Sequence, residues 1–348
     1  MNTKEQKTAR NTARSILTLE AILREAGINP YAPFDRKIPP LVADRFRGLS
    51  LSPFVTIGPA RYFETLSALD AVCALILLPS GKIRPFLGSS VKTMKSTKEG
   101  LDTRVMYGAP HVESGWLTCP FASGLSKVDG VVTVTPGVGC AGSCLIGSGQ
   151  MVYDQSRRAR ILKTAAIKLY PEVARVLLDR EIKKHHRSVT RRNAREGTDV
   201  QTGIRLNGTT DIDWSITFPE LFTQNPDVQF YDYTKAPIRA RRHALTVPNY
   251  HLTYSLVSSD PAHVKRAADY MRAGVNVAAV ILNRAQVDRL LDAGSWLDRP
   301  LIDGDKSDAR PFDPASGAWV LLYAKGRFNP EDSFIIDADQ PLTAAIAA

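Results

Sequence analysis

The chain has 348 residues, of which 44% are apolar, and its formal net charge is +10. This length suits one large domain or two ordinary ones, and this apolar content can build a sizeable core, which excludes wholesale disorder. Four cysteines in such a chain exclude a disulfide-stapled scaffold. The N-terminal stretch lacks the apolar region of a secretory signal, and the longest apolar run, around Cys73, is too short to cross a bilayer. We therefore expect a cytoplasmic protein with no membrane partner, in which Cys73 is a buried thiol.

The N-terminal third predicts a helix followed by irregular chain. Apolar residues recur at helical spacing up to Leu23, and Gly27 follows as a stop signal. Residues 31–65 are rich in proline and are expected to be irregular. Residues 68–87 have strand character with a hairpin turn at "PSGK", although the apolar run within them also fits a short helix. Residues 89–100 are polar and basic and predict a surface loop.

The remainder of the chain predicts an α/β fold. Two short strands are expected at "RVMYGAP" and "GVVTVTPG", then a helix over residues 151–169 and a second helix from Pro171. From Gly197 onwards strands alternate with helices, which is typical of parallel βα units. The predicted strands are "TGIRLNG", "DVQFYDYT", "YHLTYSLV", "VNVAAVIL", "RPLID" and "AWVLLYAK", and the helices are "FPELFTQ", "AHVKRAADYMRAG" and "RAQVDRLLDAG".

We expect a complete or partial (β/α) barrel-like parallel sheet with an N-terminal helical and irregular extension. A doubly wound open sheet is the second possibility. The predicted organisation is an extension over residues 1–65, an α/β domain over residues 66–335 and a C-terminal tail over residues 336–348.

Polar residues cluster where the predicted strands end. In βα folds the loops after the strands hold the active site, so these groups could bind a ligand or transfer protons. The alternative is that Asp and Asn simply favour the turns that follow strands. Ser258, Ser259 and Asp260 follow one strand in the same way. The candidate catalytic residues are Asn207, Asp211, Asp232 and Lys235, and the candidate binding residues are Arg205, Thr209, Tyr233, His251, Asp303 and Asp305.

Asp232 is an unusual residue for the middle of a strand. It shares a face with Phe230, whereas Tyr231 and Tyr233 point to the opposite side. A buried acid needs a partner, such as Lys235 or an arginine. Asp232 is therefore either part of a structural ion pair or a catalytic group.

The positive charge is concentrated in one stretch. Residues 157–195 hold thirteen Lys or Arg and three acidic residues. The net charge of this stretch is therefore +10, which equals the net charge of the whole chain. A local basic stripe favours a polyanion such as nucleic acid, although a solvated helix face gives the same pattern. The candidate nucleic-acid contacts are Arg157, Arg158, Arg160, Lys163, Lys183, Lys184, Arg187, Arg191 and Arg192.

Three cysteines lie close to glycine or proline. Cys140 and Cys144 are four residues apart in a Gly-rich stretch, where backbone N–H groups can approach sulfur, and Cys119 precedes them. Three thiolates with one open position suit a 4Fe–4S cluster whose fourth iron binds a small molecule. A structural zinc site and unligated thiols are the alternatives.

Several motifs in order resemble a family of phage- and prophage-encoded proteins of unassigned role. They are "LTCPFAS…GCAGSCLIGSGQM", "ARILKTAAI", "RLNGTTDIDW", "PDVQFYDYTKAP", "YHLTYSL", "LIDGD" and "FDP", over residues 87–335. The family in turn resembles phage proteins that are similar to radical S-adenosylmethionine enzymes.

This resemblance implies a cluster at Cys119, Cys140 and Cys144 that binds S-adenosylmethionine. The chain departs from the usual Cys-x-x-x-Cys-x-x-Cys spacing, because Gly147 stands where the third cysteine would be. The third ligand would then be Cys119. The connection from Ser123 to Gly139 is longer than the family pattern, and we expect it to fold as a hairpin that returns the chain to Cys119.

Three functions follow from these observations. The first is a radical S-adenosylmethionine-like enzyme that acts on a nucleotide or a nucleic acid. The second is a non-enzymatic nucleic-acid-binding protein of phage replication or host takeover, with zinc or no metal. The third, a virion or assembly protein, is disfavoured because the chain lacks coiled-coil heptads and β-rich repeats.

Overall fold

We describe the protein from a computed structural model. The structure describes residues 3–36, 50–52, 55–56, 66–128, 131–134, 139–142, 144–147, 149–257, 260–325 and 334–340. Two compact units partition the chain: the first contains Met1–Leu87, Gly108–Leu117 and Tyr153–Ile182, and the second contains Gly88–Tyr107, Thr118–Val152 and Lys183–Ala348. Within these described ranges, no helix has the length and apolar character needed to span a bilayer.

Fourteen strands are present in the described residues. In chain order they are β1 (Ser50–Ser52), β2 (Val55–Thr56), β3 (Leu87–Gly88), β4 (Leu101–Met106), β5 (Leu125–Val128), β6 (Val131–Val134), β7 (Gln201–Arg205), β8 (Val228–Thr234), β9 (Tyr250–Ser255), β10 (Val277–Ile281), β11 (Ser295–Trp296), β12 (Arg299–Asp303), β13 (Trp319–Tyr323) and β14 (Ile335–Ile336).

Ten of these strands form one sheet. Its order is β11-β12-β13-β10-β9-β8-β7-β4-β3, and β14 also pairs with β10. The pairs from β4 through β10, β13 and β12 are parallel, and β11 is antiparallel to β12. The predicted α/β class and parallel sheet are confirmed. The order runs from one edge to the other, so the described strands form an open, partly barrel-like sheet rather than a complete barrel.

The helices are α1 (Thr3–Glu25), α2 (Ala68–Ile76), α3 (Val91–Lys98), α4 (His111–Ser114), α5 (Gly139–Gly142), α6 (Asp154–Leu169), α7 (Pro171–Glu196), α8 (Trp214–Thr217), α9 (Glu220–Thr223), α10 (Pro261–Arg272) and α11 (Arg284–Ala293). Short 3-10 helices occupy Leu145–Gly147, Gly149–Val152, Ile238–Arg241, Ala244–Thr246 and Arg310–Phe312. The helix predicted near the N-terminus is confirmed, as are those after residues 151, 171, 261 and 284.

One prediction about local structure was wrong, and an open alternative is settled. The apolar run that fits a strand or a short helix is the helix α2, which is capped by Ser67, whose hydroxyl accepts a hydrogen bond from the Asp70 amide. The predicted surface loop contains α3, where Ser90 and Thr93 form a reciprocal capping box. In both segments a serine cap satisfies an amide in the first turn of the helix, which favours the helix.

The first unit is held by helix packing and by one buried ion pair. Its core contains Leu19 and Leu23 of α1 and Leu75 of α2, all shielded from solvent. Arg160 of α6 lies within it and is 2% exposed. Its Nε donates to Glu113 Oε2 over 2.8 Å. A charge this deeply buried is stable only with such a partner.

The two faces of the second unit's sheet differ in character. Phe230 and Tyr250 pack against Phe222 of α9, and Tyr254 stacks on Tyr270 of α10. We call this side the helix face. The residues that alternate with these along β8 and β9 point to the other side. That side carries Arg205, Tyr231, Tyr233, His251 and Thr253, and we call it the polar face.

The segment after β12 crosses the polar face on its way to β13. The Tyr231 hydroxyl is hydrogen-bonded to Thr103 Oγ1 and to Asp308 Oδ2, each over 3.2 Å. Arg205 makes an ion pair with Asp308 over 3.3 Å. Ala309 packs with Leu101 and Tyr231. Residues 304–318 therefore cover polar side chains that the strands place beneath them.

Candidate functional site at the carboxyl edge of the sheet

The segment that contains Cys119 is attached to the loop that follows β7. The Asp211 amide donates to the Thr118 carbonyl over 2.9 Å, and the Cys119 thiol lies 3.9 Å from the Thr209 carbonyl oxygen. Because β7 is parallel to its neighbours, its carboxyl end lies at the edge where α/β proteins place their ligands. Cys119 is therefore positioned at this carboxyl edge.

The hairpin predicted between Ser123 and Gly139 is confirmed by the strands β5 and β6. They pair antiparallel, with Leu125 opposite Val134 and Val128 opposite Val131. At the base of this hairpin the Cys140 amide donates to Ser123 Oγ over 3.0 Å, and the Cys140 thiol lies 4.0 Å from the Ser123 carbonyl. The hairpin therefore returns the chain to within a few residues of Cys119.

Burial and nearby acidic groups both act on the Cys119 thiol. Burial raises the pKa of the Cys119 thiol well above its usual range, and negative charge on Asp211, Cys144 or Cys140 raises it further. All three thiols are partly buried. By itself Cys119 is thus a protonated, unreactive thiol at neutral pH, because nearby negative charge and burial both oppose the thiolate.

A cation beside these thiols would reverse that preference, since metal ligation requires the thiolate. The donor chemistry, three thiols in a Gly-rich segment, is suitable for iron–sulfur ligation. In the part of the chain that the structure describes, however, no three His, Cys, Asp or Glu side chains converge closely enough to hold a metal ion. The geometry therefore supports a shared neighbourhood of thiols and not an assembled ligand set.

Asp211 is the centre of the charge network at this edge. Its carboxylate accepts from the Lys235 amide over 2.9 Å and from Arg241 over 2.8 Å. Arg241 also donates to Asp213 over 3.0 Å, and its side chain is 6% exposed. Arg241 is not among the residues predicted from the sequence. Its only signal is the run "RARR", which Ile238 separates from the motif that contains Lys235.

Asn207 and Asp232 hold the loop after β7 in place. Asp232 accepts from the Asn207 amide over 2.7 Å, from Asn207 Nδ2 over 3.3 Å and from the Tyr250 hydroxyl over 2.9 Å. The Asn207 side-chain oxygen accepts from the Ile212 amide and from the Trp214 indole, each over 3.0 Å. Both side chains are buried, so they organise the loop from beneath.

The expected ion-pair partners of Asp232 are not its hydrogen-bond partners. Lys235 instead reaches Ser255 Oγ over 2.5 Å, and Asp232 is bonded by an amide group and a phenol. Burial raises the pKa of Asp232 to about 7, despite the opposing effect of the Asn207 amide and the Arg205 charge. Asp232 points to the helix face, whereas Lys235 lies beyond the end of β8 and reaches Ser255, which alternates with Tyr254 and so lies on the polar face.

Arg205, Tyr233 and His251 lie together on the polar face. The Arg205 guanidinium carbon is 4.7 Å from the centroid of the Tyr233 ring. His251 is opposite Tyr231 in the β8–β9 register, and Tyr233 is opposite Thr253. Burial lowers the pKa of His251 to about 4 and raises that of Tyr233 to about 12. Both side chains are therefore neutral at physiological pH.

Asp303 and Asp305 form ion pairs near the ends of β12 and β13. Asp303 pairs with Arg284 over 2.9 Å, and Asp305 pairs with Lys325 over 2.5 Å. Asp305 also accepts from the Tyr323 amide over 3.0 Å. These contacts order the strand ends. Ser258 and Ser259, which were predicted at another strand end, lie outside the described residues.

The basic stripe divides into engaged and exposed residues. Arg160 is buried against Glu113, Lys163 donates to the Phe86 carbonyl over 2.8 Å, and Arg192 pairs with Asp102 over 2.8 Å. Burial lowers the pKa of Lys163 to about 8. Arg158 and Lys183 are half-buried, and Arg157, Lys184, Arg187 and Arg191 are exposed.

The residues around this site lie in the part of the chain that matches a protein-family model. The family model described as gene product 88 matches residues 87–338. The chain belongs to the gene product 88 family. The match includes the cysteines, the loop after β7 and the strands β7 to β14, so the carboxyl edge described above lies inside the family region. No curated protein and no solved structure matches the chain. The gene product 88 family is a phage gene-product family of unassigned role.

Proposed function

We propose that this gene product 88 protein is an enzyme whose active site lies at the carboxyl edge of the parallel sheet, beneath the segment that contains Cys119, Cys140 and Cys144. The observation that carries the proposal is the attachment of this segment to the loop after β7, through Thr118–Asp211 and Cys119–Thr209. Catalytic groups in α/β enzymes are concentrated at this edge.

The finer part of the proposal concerns the cofactor. We assign the three cysteines as ligands of an iron–sulfur cluster in the working protein, with S-adenosylmethionine as co-substrate and zinc as the alternative metal. When bound, such a cluster supplies an electron to S-adenosylmethionine. The negative charge of Asp211 beside Cys119 supports a positively charged group at this position, because such a group would stabilise the Cys119 thiolate that burial and Asp211 oppose.

The residues around the cysteines would position a ligand. Lys235 follows β8 at this edge, and its ammonium group is held by Ser255 and lies 4.8 Å from the Phe334 ring centroid. Arg266 lies over the Phe121 ring at 5.9 Å, so the cysteine segment also contacts α10. These two cations suit a substrate with phosphate groups, which agrees with the proposed nucleotide or nucleic-acid substrate in the host cytoplasm.

The deciding experiment is metal and sulfide analysis of protein purified without oxygen. We expect about four irons and four sulfides per chain and absorbance near 400 nm, both lost in a Cys140→Ser, Cys144→Ser variant. The matched control is Cys73→Ser, because Cys73 lies in α2 of the first unit, where burial raises its pKa to about 12. About one zinc per chain would indicate a structural zinc site instead of a cluster. Protein without metal would refute the cofactor assignment.

A second candidate function is nucleic-acid binding, and the arrangement of α7 favours it. Lys184, Arg187, Arg191 and Arg195 are exposed and recur at spacings of three and four residues, so they share one side of the helix. Val189 and His185 on the same helix are buried. We call this exposed side the basic helix face.

The test of this second candidate is the salt dependence of binding to single-stranded DNA and RNA. Replacing the four residues of the basic helix face by Gln should weaken binding and reduce the slope of log K against log salt by up to about 3. The control replaces Lys4, Lys7, Arg10 and Arg14 by Gln, which removes the same charge from the exposed side of α1. Equal effects of both sets would indicate a response to net charge alone and would contradict a defined site.

A further inference from the structure

The polar face contains a group of buried polar atoms without hydrogen-bond partners among the described residues. They belong to two arginines, a tyrosine, a histidine and a threonine that come from three adjacent strands and from the crossover 304–318. These atoms are Arg205 Nε, Tyr233 Oη, His251 Nε2, Thr253 Oγ1 and Arg310 Nε. A buried polar group without a partner is costly, so several of them on one face require an explanation.

These five side chains are neighbours. Tyr233 and Thr253 face one another in the β8–β9 register, and Arg205 stacks on the Tyr233 ring. The short helix Arg310–Phe312 contacts both β8 and β9, and the Arg310 charge acts to lower the pKa of both Tyr233 and His251. The unpartnered atoms therefore belong to one locality rather than to separate packing defects.

The charges of this locality are balanced, but its hydrogen-bond donors are in excess. Arg205 pairs with Asp308 over 3.3 Å, and Arg310 Nη1 lies 3.0 Å from Asp313 Oδ2 without forming a hydrogen bond, so one carboxylate oxygen faces the several donors. The remaining Nε–H groups of both arginines can only donate. The two hydroxyls can donate as well, and neutral His251 can do so in one of its tautomers. A ligand that satisfies them must therefore supply several acceptor oxygens.

A cavity of about 330 Å³ adjoins this group. Its lining includes Arg310 and Asp313, together with Ile302 and Lys306. Arg310 thus contributes both to the cavity wall and to the unpartnered group. A cavity of this size suits a small molecule, and its wall carries two cations, Lys306 and Arg310, beside the carboxylates of Glu99, Asp303 and Asp313.

We propose that the polar face binds the oxyanion of a small ligand, a phosphate or a carboxylate group, through Arg205, Arg310, Tyr233 and Thr253, with His251 beside them. This site goes beyond the proposed function, because it requires neither the cysteines nor a cluster. Its acceptors would complete the hydrogen bonds that the described residues leave unmade, as expected of an oxyanion held by preorganised donors.

The test compares two tyrosines on the same strand and the same face. Thermal unfolding of the full chain is measured with inorganic phosphate, with acetate, and with sodium chloride at equal ionic strength. We expect phosphate or acetate to raise the Tm more than sodium chloride does, and Tyr233→Phe and Thr253→Val to remove at least half of that increase. Without ligand these two variants should unfold at the same temperature as the parent or higher, because each loses an unpartnered hydroxyl.

The matched control is Tyr231→Phe, whose hydroxyl is bonded to Thr103 and Asp308. This variant should unfold at a lower temperature and keep the ligand-dependent increase. A response to phosphate alone identifies a phosphate ligand, and a response to acetate identifies a carboxylate. The proposal is overturned if neither anion exceeds sodium chloride or if Tyr233→Phe keeps the full increase. It is equally overturned if Tyr233→Phe lowers the Tm without ligand as much as Tyr231→Phe does, since the hydroxyl would then be bonded to water.

Discussion

Gly139 lies so close to Ser123 that a Cβ atom on Gly139 would stand 2.2 Å from the Ser123 hydroxyl oxygen and 2.8 Å from its carbonyl carbon. Gly139 also has a φ of +61°, which residues other than glycine rarely adopt. This contact closes the base of the β5–β6 hairpin and allows the Cys140 amide to reach Ser123. The position of the cysteine pair therefore depends on a residue without a side chain.

Gly139→Ala should open the base of this hairpin and expose the cysteines. Because the contact includes backbone atoms of Ser123, the new methyl group has to displace the chain rather than a flexible side-chain end. We expect Cys140 and Cys144 to react several-fold faster with a thiol reagent, measured by mass spectrometry of the labelled peptides. Cys73 should keep its reactivity and serves as the internal reference.

The control for this substitution is Gly149→Ala. Gly149 has a φ of +56°, close to that of Gly139, but a Cβ atom there would meet nothing within 4 Å. Backbone strain is thus similar in the two variants, and only Gly139→Ala adds the collision. If both variants labelled at the same rate, the contact with Ser123 would not be what positions the cysteines.

Glu113→Gln should strongly destabilise the first unit. Arg160 is 2% exposed, and Glu113 binds its guanidinium through both carboxylate oxygens. Removing the negative charge leaves Arg160 buried without its counter-ion, which typically costs about 3–5 kcal/mol. Urea unfolding measures the loss. Arg157→Gln, at an exposed position of the same helix, should change the unfolding free energy by less than about 0.5 kcal/mol.

Arg241→Gln should destabilise the carboxyl edge, because Asp211 and Asp213 both depend on this guanidinium. Loss of the shared cation from a buried network is expected to cost about 3 kcal/mol or more in unfolding free energy. Arg242→Gln changes the next residue, which is exposed, and should be nearly neutral. If the two variants were equally stable, the ion pairs of Arg241 would contribute nothing to the fold.

The sequence could predict the sheet of the second unit because its strands follow simple rules. "GVNVAAVIL" is apolar on both faces, as expected for a buried parallel strand, and it forms β10. The two helices that begin after a serine cap were harder to predict. Ser67 and Ser90 begin helices in segments whose composition also fits a strand or a loop, so tertiary context decides between them.

The location of the site at the carboxyl edge could be predicted from the sequence, but the roles of its residues could be predicted less well. Asn207 and Asp211 were chosen because they follow a strand, and both lie at the carboxyl edge. Their partners Arg241 and Tyr250 come from later segments, and no local pattern connects residues so far apart in sequence. The unpartnered state of Tyr233 and Thr253 also depends on the folding of residues 304–318 over the sheet, which spacing alone does not reveal.

Asp232→Asn should change how stability depends on pH. The pKa of Asp232 is about 7 in the folded protein, compared with an ordinary value of 3.8, because burial opposes its ionised form. Between these values the folded chain keeps a proton that the unfolded chain releases. The contribution of Asp232 to the unfolding free energy therefore decreases as pH rises from about 4 to about 7, by up to about 1.4 kcal/mol per pH unit.

Urea unfolding of the parent and of Asp232→Asn at pH 4.5, 6 and 7.5 measures this contribution. Because Asn does not titrate, we expect the substitution to be most costly at the lowest pH and least costly at pH 7.5. The exposed Asp227→Asn should leave the pH profile of the parent unchanged. Parallel profiles for the parent and Asp232→Asn would mean that Asp232 ionises in the folded protein as it does in the unfolded chain. Its contacts with Asn207 and Tyr250 would then offset the whole cost of burial.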